Sequence, residues 1–181
     1  WRQDREISGV NTLALGIIHE AATRWVPSPD RVFAQARIAS PTRAGVDGRP
    51  AQATVPDSVQ ILTTIPTATG EARGLYHLSG VALHGPGRHI HLYGSEGTIK
   101  VHLGASEEVW LGKTGEANLK RFEVAPEDKG GWRVEAEFVG AIRGEEPVRF
   151  TTFEAGVDYM GFTEAVASSA AEGIPVRPAD L

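Results

Sequence analysis

Between Ser58 and Val124, short segments of strand character follow one another at close intervals. They are Ser58–Ile65, Leu75–Leu83, His89–Tyr93, Thr98–Leu103, Glu107–Leu111 and Lys120–Val124. Turn signals stand between them at Thr69-Gly70, Gly85-Pro86-Gly87, Gly94-Ser95-Glu96-Gly97 and Gly112-Lys113-Thr114-Gly115. Strands spaced this closely are expected to pair as an antiparallel meander, because parallel pairing needs a long crossover between partners.

Arg31–Ser40 adds a further strand ahead of the meander, with Val32, Ala34, Ala36 and Ile38 on one side. Residues 41–57, rich in Pro, Gly, Thr and Ala, read as a long surface loop, a length often used for a lid or binding loop. Helices flank the strands, after an extended lead-in over residues 1–10. The first covers Asn11 to Trp25 and stops before Pro27 and Pro29. A second, near Trp132–Arg143, places Trp132, Val134, Phe138, Val139 and Ile142 on one face. The last begins around Thr151-Thr152-Phe153-Glu154, where Thr151 and Glu154 have capping-box spacing, and stops at Gly173. Its expected buried side is Tyr159, Phe162, Val166 and Ala170. The sum is an α+β fold, an open, largely antiparallel sheet with helices packed on one face. The uncovered face is expected to meet another subunit or domain.

With 181 residues, the chain suits one domain with a proper core. A net charge of −5 without basic clusters argues against nucleic acid or a membrane surface as partner. No apolar run has transmembrane length and no signal peptide is seen, so a cytoplasmic location is the expectation. Cysteine is absent, which excludes disulfides and thiolate metal sites. The chain starts at Trp1 and its only methionine is Met160, so a segment N-terminal to it is expected.

At about 100° per residue, Thr12, Gly16, His19, Glu20 and Thr23 share one arc of the first helix. Val10, Ala14, Ile17, Ile18, Ala21, Ala22 and Trp25 share the other, and Arg24 sits at the polar edge. Two readings fit: a solvated polar side, or a polar stripe facing a small molecule. Asn11 stands where a helix start needs capping. Gly16 in mid-helix costs about 1 kcal/mol against Ala and implies close approach of a backbone or a ligand. Glu20 and Arg24, four apart, have the spacing of a surface ion pair.

Other motifs are mostly negative. Neither G-x-G-x-x-G opening a helix nor G-x-x-x-x-G-K-[ST] is present, so no dinucleotide-binding unit lies in the chain. His89, His91 and Tyr93 alternate along a strand and face one side; a half-polar sheet face or a subunit contact is the expectation, with a metal site the remote alternative. The acidic pairs Glu107-Glu108, Glu127-Asp128 and Glu145-Glu146 read as solvated charge beside turns.

The run Glu135-Ala136-Glu137-Phe138-Val139-Gly140-Ala141-Ile142-Arg143-Gly144-Glu145-Glu146-Pro147-Val148 resembles the E-F-x-x-A-I-R-G-x-x-P-V segment of the glucose–fructose oxidoreductase, inositol dehydrogenase and MocA (Gfo/Idh/MocA) family. Glu154 to Gly173 resembles that family's final helix, and Tyr93 to Ile99 its G-x-x-G-T-I hairpin. The resemblance covers nearly the whole chain, but only the family's C-terminal domain, which has a dihydrodipicolinate-reductase-like fold. It implies a single substrate-binding and oligomerisation domain over residues 1–181. The N-terminal Rossmann domain, which holds NAD or NADP, is not in the chain, so no cofactor is expected on this chain alone.

The resemblance further implies hydride transfer to or from a sugar, cyclitol or similar polyol in the intact protein, and a homo-oligomer formed through the open sheet face. The helix matching Gly9–Trp25 usually carries D-x-G-x-H. Anchored on Gly16, the Asp position is Ala14 and the His position is Ile18. His19 is displaced by one residue, about 100° around the helix. The expectation is therefore His19 as acid/base, with Asn11, Glu20 and Arg24 near the substrate. The alternative is a non-catalytic assembly or carbohydrate-binding module that keeps the fold.

Overall fold

The computed structural model describes all residues except 1, 46, 105, 132 and 150, so Trp132 of the second expected helix lies outside the described residues. The chain divides into two compact units, Trp1–Ala82 with Val148–Leu181, and Leu83–Pro147. Every strand pairing is antiparallel, in an α+β architecture.

The first unit holds helices α1 (Arg5–Ser8) and α2 (Leu15–Thr23), strands β1 (Arg31–Arg37), β2 (Thr42–Ala44), β3 (Pro50–Gln52), β4 (Ser58–Thr67) and β5 (Gly70–Ser79), and the last helix, which follows the second unit. Its main sheet has the order β1-β4-β5. Alternation sends Val32, Ala34, Val59 and Ile61 to one face, where they pack with Leu15 of α2 and with Phe162, Ala165 and Val166 of the last helix. The opposite face is uncovered within the unit. There the register aligns Phe33, Leu62 and Leu75 in one rung, with Leu62 57% and Leu75 70% exposed.

The outer edge of β1 does not stay open. Val32 exchanges backbone hydrogen bonds with Val176, N–H to O=C in both directions at 2.8 and 2.9 Å. Two residues along, the Ala34 N–H donates to the buried Ser169 hydroxyl at 2.9 Å, which itself donates to the Ile174 carbonyl at 2.6 Å. The C-terminal segment thus supplies partners that an edge strand would otherwise seek from another chain.

Three expectations for this unit need correction. The lead-in is not wholly extended, because Asp4 caps α1 by accepting the Glu6 N–H at 3.0 Å. The segment 41–57 carries the ribbon β2-β3. The first helix starts at Leu15 rather than Asn11, because Leu13 and Ala14 adopt left-handed backbone, φ 52° and 58°, which cannot continue a right-handed helix.

The second unit is a meander in the order β6-β7-β8-β9, comprising β6 (Arg88–Tyr93), β7 (Gly97–Leu103), β8 (Glu107–Lys113) and β9 (Lys120–Phe122), followed by α3 (Val134–Arg143). One face is apolar, with the rungs Ile90-Val101-Val109-Phe122 and Leu92-Ile99-Leu111. The other is polar and carries His89, His91 and Tyr93, which do share a side. Helix α3 ends on Gly144 in left-handed conformation, whose N–H caps Ala141 and Gly140 carbonyls. Its expected apolar face forms but stays open, with Phe138 68% and Ile142 72% exposed.

The last helix, α4 (Phe153–Glu172), returns to the first unit and stops at Gly173, φ 72°. Phe162 and Val166 are buried and Tyr159 and Ala170 partly so, as their spacing predicts. The cap differs by one residue. Thr152 accepts the Ala155 N–H at 3.2 Å, while Thr151, at φ 55°, turns its hydroxyl away from the helix start.

Candidate functional site

Helix α2 does not bury the arc that its hydropathy favours. Leu15, Gly16, His19 and Ala22 are buried, whereas Ile17 is 67% exposed. The arc that reads as polar is thus partly the packing face. Gly16 explains how. A Cβ there would stand 3.1 Å from the Tyr159 ring of α4, so the absent side chain lets the two helices approach. The close approach expected at this glycine is made by an aromatic ring.

His19 follows one turn on. It is 1% exposed, and its ring stacks on Phe162 with centroids 3.6 Å apart and planes at 16°. A hydrogen bond of 3.0 Å joins its Nδ1 to the Tyr76 hydroxyl of β5. Burial lowers the His19 pKa to about 4 and raises that of Tyr76 to about 12. At neutral pH both groups are uncharged, as a buried polar pair should be. His19 is therefore a satisfied core residue in this structure. Its place on an accessible stripe is corrected, because stacking and hydrogen bonding compensate its burial.

The accessible polar group on α2 is centred on Glu20. Its Oε1 accepts from Arg24 Nη2 at 2.8 Å and Nε at 3.2 Å, and from the Thr151 hydroxyl at 3.2 Å. The carboxylate is largely covered while Arg24 reaches solvent. Asn11 lies apart. Its Oδ1 is 3.5 Å from the Gly16 N–H, a long contact that spans the left-handed turn. Of the residues expected near a substrate, the structure brings together Glu20 and Arg24 and adds Thr151. Thr151 lies far away in sequence, and the capping-box spacing read there gives no sign of its contact with Glu20.

A second constrained group sits at the ribbon. The buried Asp57 carboxylate accepts from the N–H groups of Ala39 (2.7 Å) and Ser40 (2.9 Å) and from Arg43 Nη2 (2.9 Å). Burial would raise its pKa, but these donors together hold it below the ordinary carboxylate value. Its role is to pin the 39–57 segment to β4.

No protein-family model matches this sequence, and no curated protein does. Solved structures do match. Levoglucosan dehydrogenase, in complex with NADH and L-sorbose, superposes with a TM-score of 0.80 at 21% identity, over 98% of this chain and 52% of that one. This chain has the fold of that protein's C-terminal half. The aldose–aldose oxidoreductase from Caulobacter crescentus, complexed with glycerol, gives 0.69 at 19% identity, over 98% and 50%. The transcriptional regulator Gal80p from Kluyveromyces lactis gives 0.69 at 12%, over 98% and 49%. The chain spans about half the length of each of them. The first two are, by name, of the oxidoreductase kind to which the sequence resemblance points, and the α+β fold shared by all three matches the expected fold class. Among the described residues, no helix is long and apolar enough to cross a membrane.

Proposed function

We propose that this chain is the substrate-binding and oligomerising part of an NAD(P)-dependent oxidoreductase acting on a sugar, a cyclitol or a similar polyol. The carrying observation is the fold correspondence, over nearly all of the chain, with half of an enzyme solved with NADH and L-sorbose. The residues described here do not fit a dinucleotide: every strand pairing is antiparallel, and no turn carries the glycine fingerprint. Cofactor binding is accordingly proposed to lie outside this chain.

Within the chain, Glu20, Arg24 and Thr151 are proposed to contact the polyol, since hydroxyl groups suit a charged donor and acceptor pair. Asn11 sits at the entry to α2 and is proposed to shape that edge. His19 is proposed as a positioning residue that fixes α2 through Tyr76 and Phe162. Its burial, with one face stacked on Phe162 and Nδ1 bonded to Tyr76, argues against the acid/base role. The rung of half-buried Phe33 with exposed Leu62 and Leu75 is proposed as the centre of a contact between copies of the chain.

The test is calorimetric titration of the chain with a panel of aldoses, cyclitols and glycerol, and separately with NADH. Millimolar or tighter polyol binding, weakened at least tenfold by Arg24→Ala or Glu20→Ala in folded protein, supports the reading. Tight NADH binding, or polyol affinity indifferent to both substitutions, overturns it. A mass that falls to monomer in Leu62→Lys supports the oligomer contact.

A second reading rests on Ala14 and Ile18, which replace the Asp and His of the resembling family. It is a non-catalytic module that keeps the fold, and the likeness to a transcriptional regulator is compatible with it. Sugar-dependent NAD(P) reduction by the intact gene product decides between them.

A further inference from the structure

A cavity of about 200 Å³ lies within the first unit, between the start of α2, the end of β1, the head of β4 and the second half of α4. Glu20, Arg24 and Thr151 are not in its lining, so it is separate from the polar group of α2. Leu15, Val59 and Val166 of the core make its inner wall. The space exists because small side chains stand where larger ones would fill it, Ala36 on β1 and Ala167 and Ala170 on α4. An apolar cavity of about 150 Å³ accepts a benzene ring.

Two polar residues distinguish this space from a simple packing void. Thr12 lines it and is 8% exposed, and its hydroxyl has no hydrogen-bond partner among the described residues. A buried hydroxyl in that state calls for a partner that the chain does not itself provide. Arg5 is the only charged residue of the lining, and no carboxylate pairs with it among the described residues. A guanidinium without a protein anion, beside an apolar chamber, suits a ligand that is an anion at one end and a hydrocarbon at the other.

The backbone fixes Arg5 at the exposed rim of the cavity. Its N–H donates to the Thr54 hydroxyl at 2.8 Å, and its carbonyl accepts the Gly9 N–H at 2.9 Å. The N–H groups of Thr54 and Val55 donate in turn to the Gln3 carbonyl, at 2.8 and 3.2 Å. Helix α1 is thus tied to the segment that leads into β4, and the site is held ready before any ligand arrives.

We propose that this cavity binds a hydrophobic monocarboxylate of about six to nine non-hydrogen atoms, its carboxylate on Arg5 and Thr12 and its ring or branched chain among the alanines. The carboxylate accepts hydrogen bonds from the guanidinium and the hydroxyl, and the apolar body leaves water for the chamber. The site is independent of polyol binding at Glu20.

Benzoate is the probe, with benzamide as its neutral counterpart and acetate as the carboxylate without an apolar body. Calorimetric titration of the full chain at neutral pH should give one saturable benzoate site of millimolar Kd or tighter. Benzamide and acetate should each bind at least tenfold more weakly. Arg5→Gln should bring benzoate down to the benzamide level. Ala167→Leu, which fills the chamber, should weaken benzoate binding at least tenfold, and circular dichroism checks the fold of both variants. No saturable benzoate binding by the parent chain, equal affinity for benzamide or acetate, or parent-like benzoate affinity in Arg5→Gln or in folded Ala167→Leu would overturn the proposal. If Ala167→Leu does not fold, the comparison of the three probes and Arg5→Gln decide alone.

Discussion

The Tyr76 hydroxyl lies 3.0 Å from Nδ1 of His19, and Phe162 stacks against the other side of the same imidazole at 3.6 Å. This pairing decides which way α2 faces, and it makes the helix sensitive to acid. The folded His19 pKa is about 4, against an ordinary value of 6.5. Between these values the unfolded chain binds a proton that the folded chain does not. The contribution is therefore intact above pH 6.5 and is lost as pH falls toward 4, by about 3 kcal/mol in total. His19→Gln keeps a hydrogen-bonding side chain and cannot titrate. Urea midpoints should drop from pH 7 to pH 5 in the parent chain, with this component of the slope missing in the variant. Equal slopes in both would remove His19 as the source.

Gly16 and Tyr159 are coupled through the missing Cβ. Gly16→Ala gains about 1 kcal/mol of helix propensity. It also forces a methyl to 3.1 Å from the Tyr159 ring, and overpacking of this kind costs about 1–3 kcal/mol. Net destabilisation of up to about 2 kcal/mol is expected from these terms. In a Tyr159→Ala background the same change should be neutral or stabilising. Thermal melts of the four proteins in a double-mutant cycle measure the coupling directly.

Ser169 holds the outer edge of β1 by accepting from Ala34 N–H and donating to the Ile174 carbonyl. Ser169→Ala strands the buried Ala34 N–H, at a cost of about 1–3 kcal/mol for an unsatisfied buried donor. Hydrogen exchange at the Ala34 amide should accelerate more than at the Val32 amide, which keeps its bond to Val176. Uniform acceleration along β1 would argue against a local role.

Asp57 gives a second acid-sensitive element, separated from His19 by its pH window. Its pKa is held below the ordinary carboxylate value of 3.8. Its contribution is thus complete above that value and disappears as pH falls through the lower folded value. Asp57→Asn at neutral pH should cost about 1–3 kcal/mol, since charge-assisted bonds from two amides and Arg43 are weakened. Protease cleavage between residues 39 and 57 should speed up in the variant, as the ribbon loses its anchor.

Much of this architecture is legible in the sequence because it depends on local chemistry. Alternation in β4 marks its buried face and the Gly-rich turns mark the strand ends, although the one meander expected from Ser58 to Val124 divides into the sheets β1-β4-β5 and β6-β7-β8-β9; Gly173 ends α4 where the left-handed stop is needed. Gly16 marks itself as a packing position, since a helix bears its cost only for a reason. The alternation of His89 and His91 places both rings on one face.

What the tertiary structure decided lies in partners distant along the chain. Periodicity sorts α2 into two arcs but does not tell which arc meets the core. That depended on Tyr159, Tyr76 and Phe162, which accept a glycine and a histidine where aliphatic side chains would be expected. The helix start moved to Leu15 because backbone at Leu13 and Ala14 is left-handed, a state that neither residue prefers. Thr151 joined Glu20 across 131 positions for the same kind of reason. Patterns of hydropathy and turn residues act within a few positions of themselves. The sign of a helix face, the burial of a titratable ring and the meeting of distant polar groups are set by packing, where shape and hydrogen-bond satisfaction outweigh hydropathy.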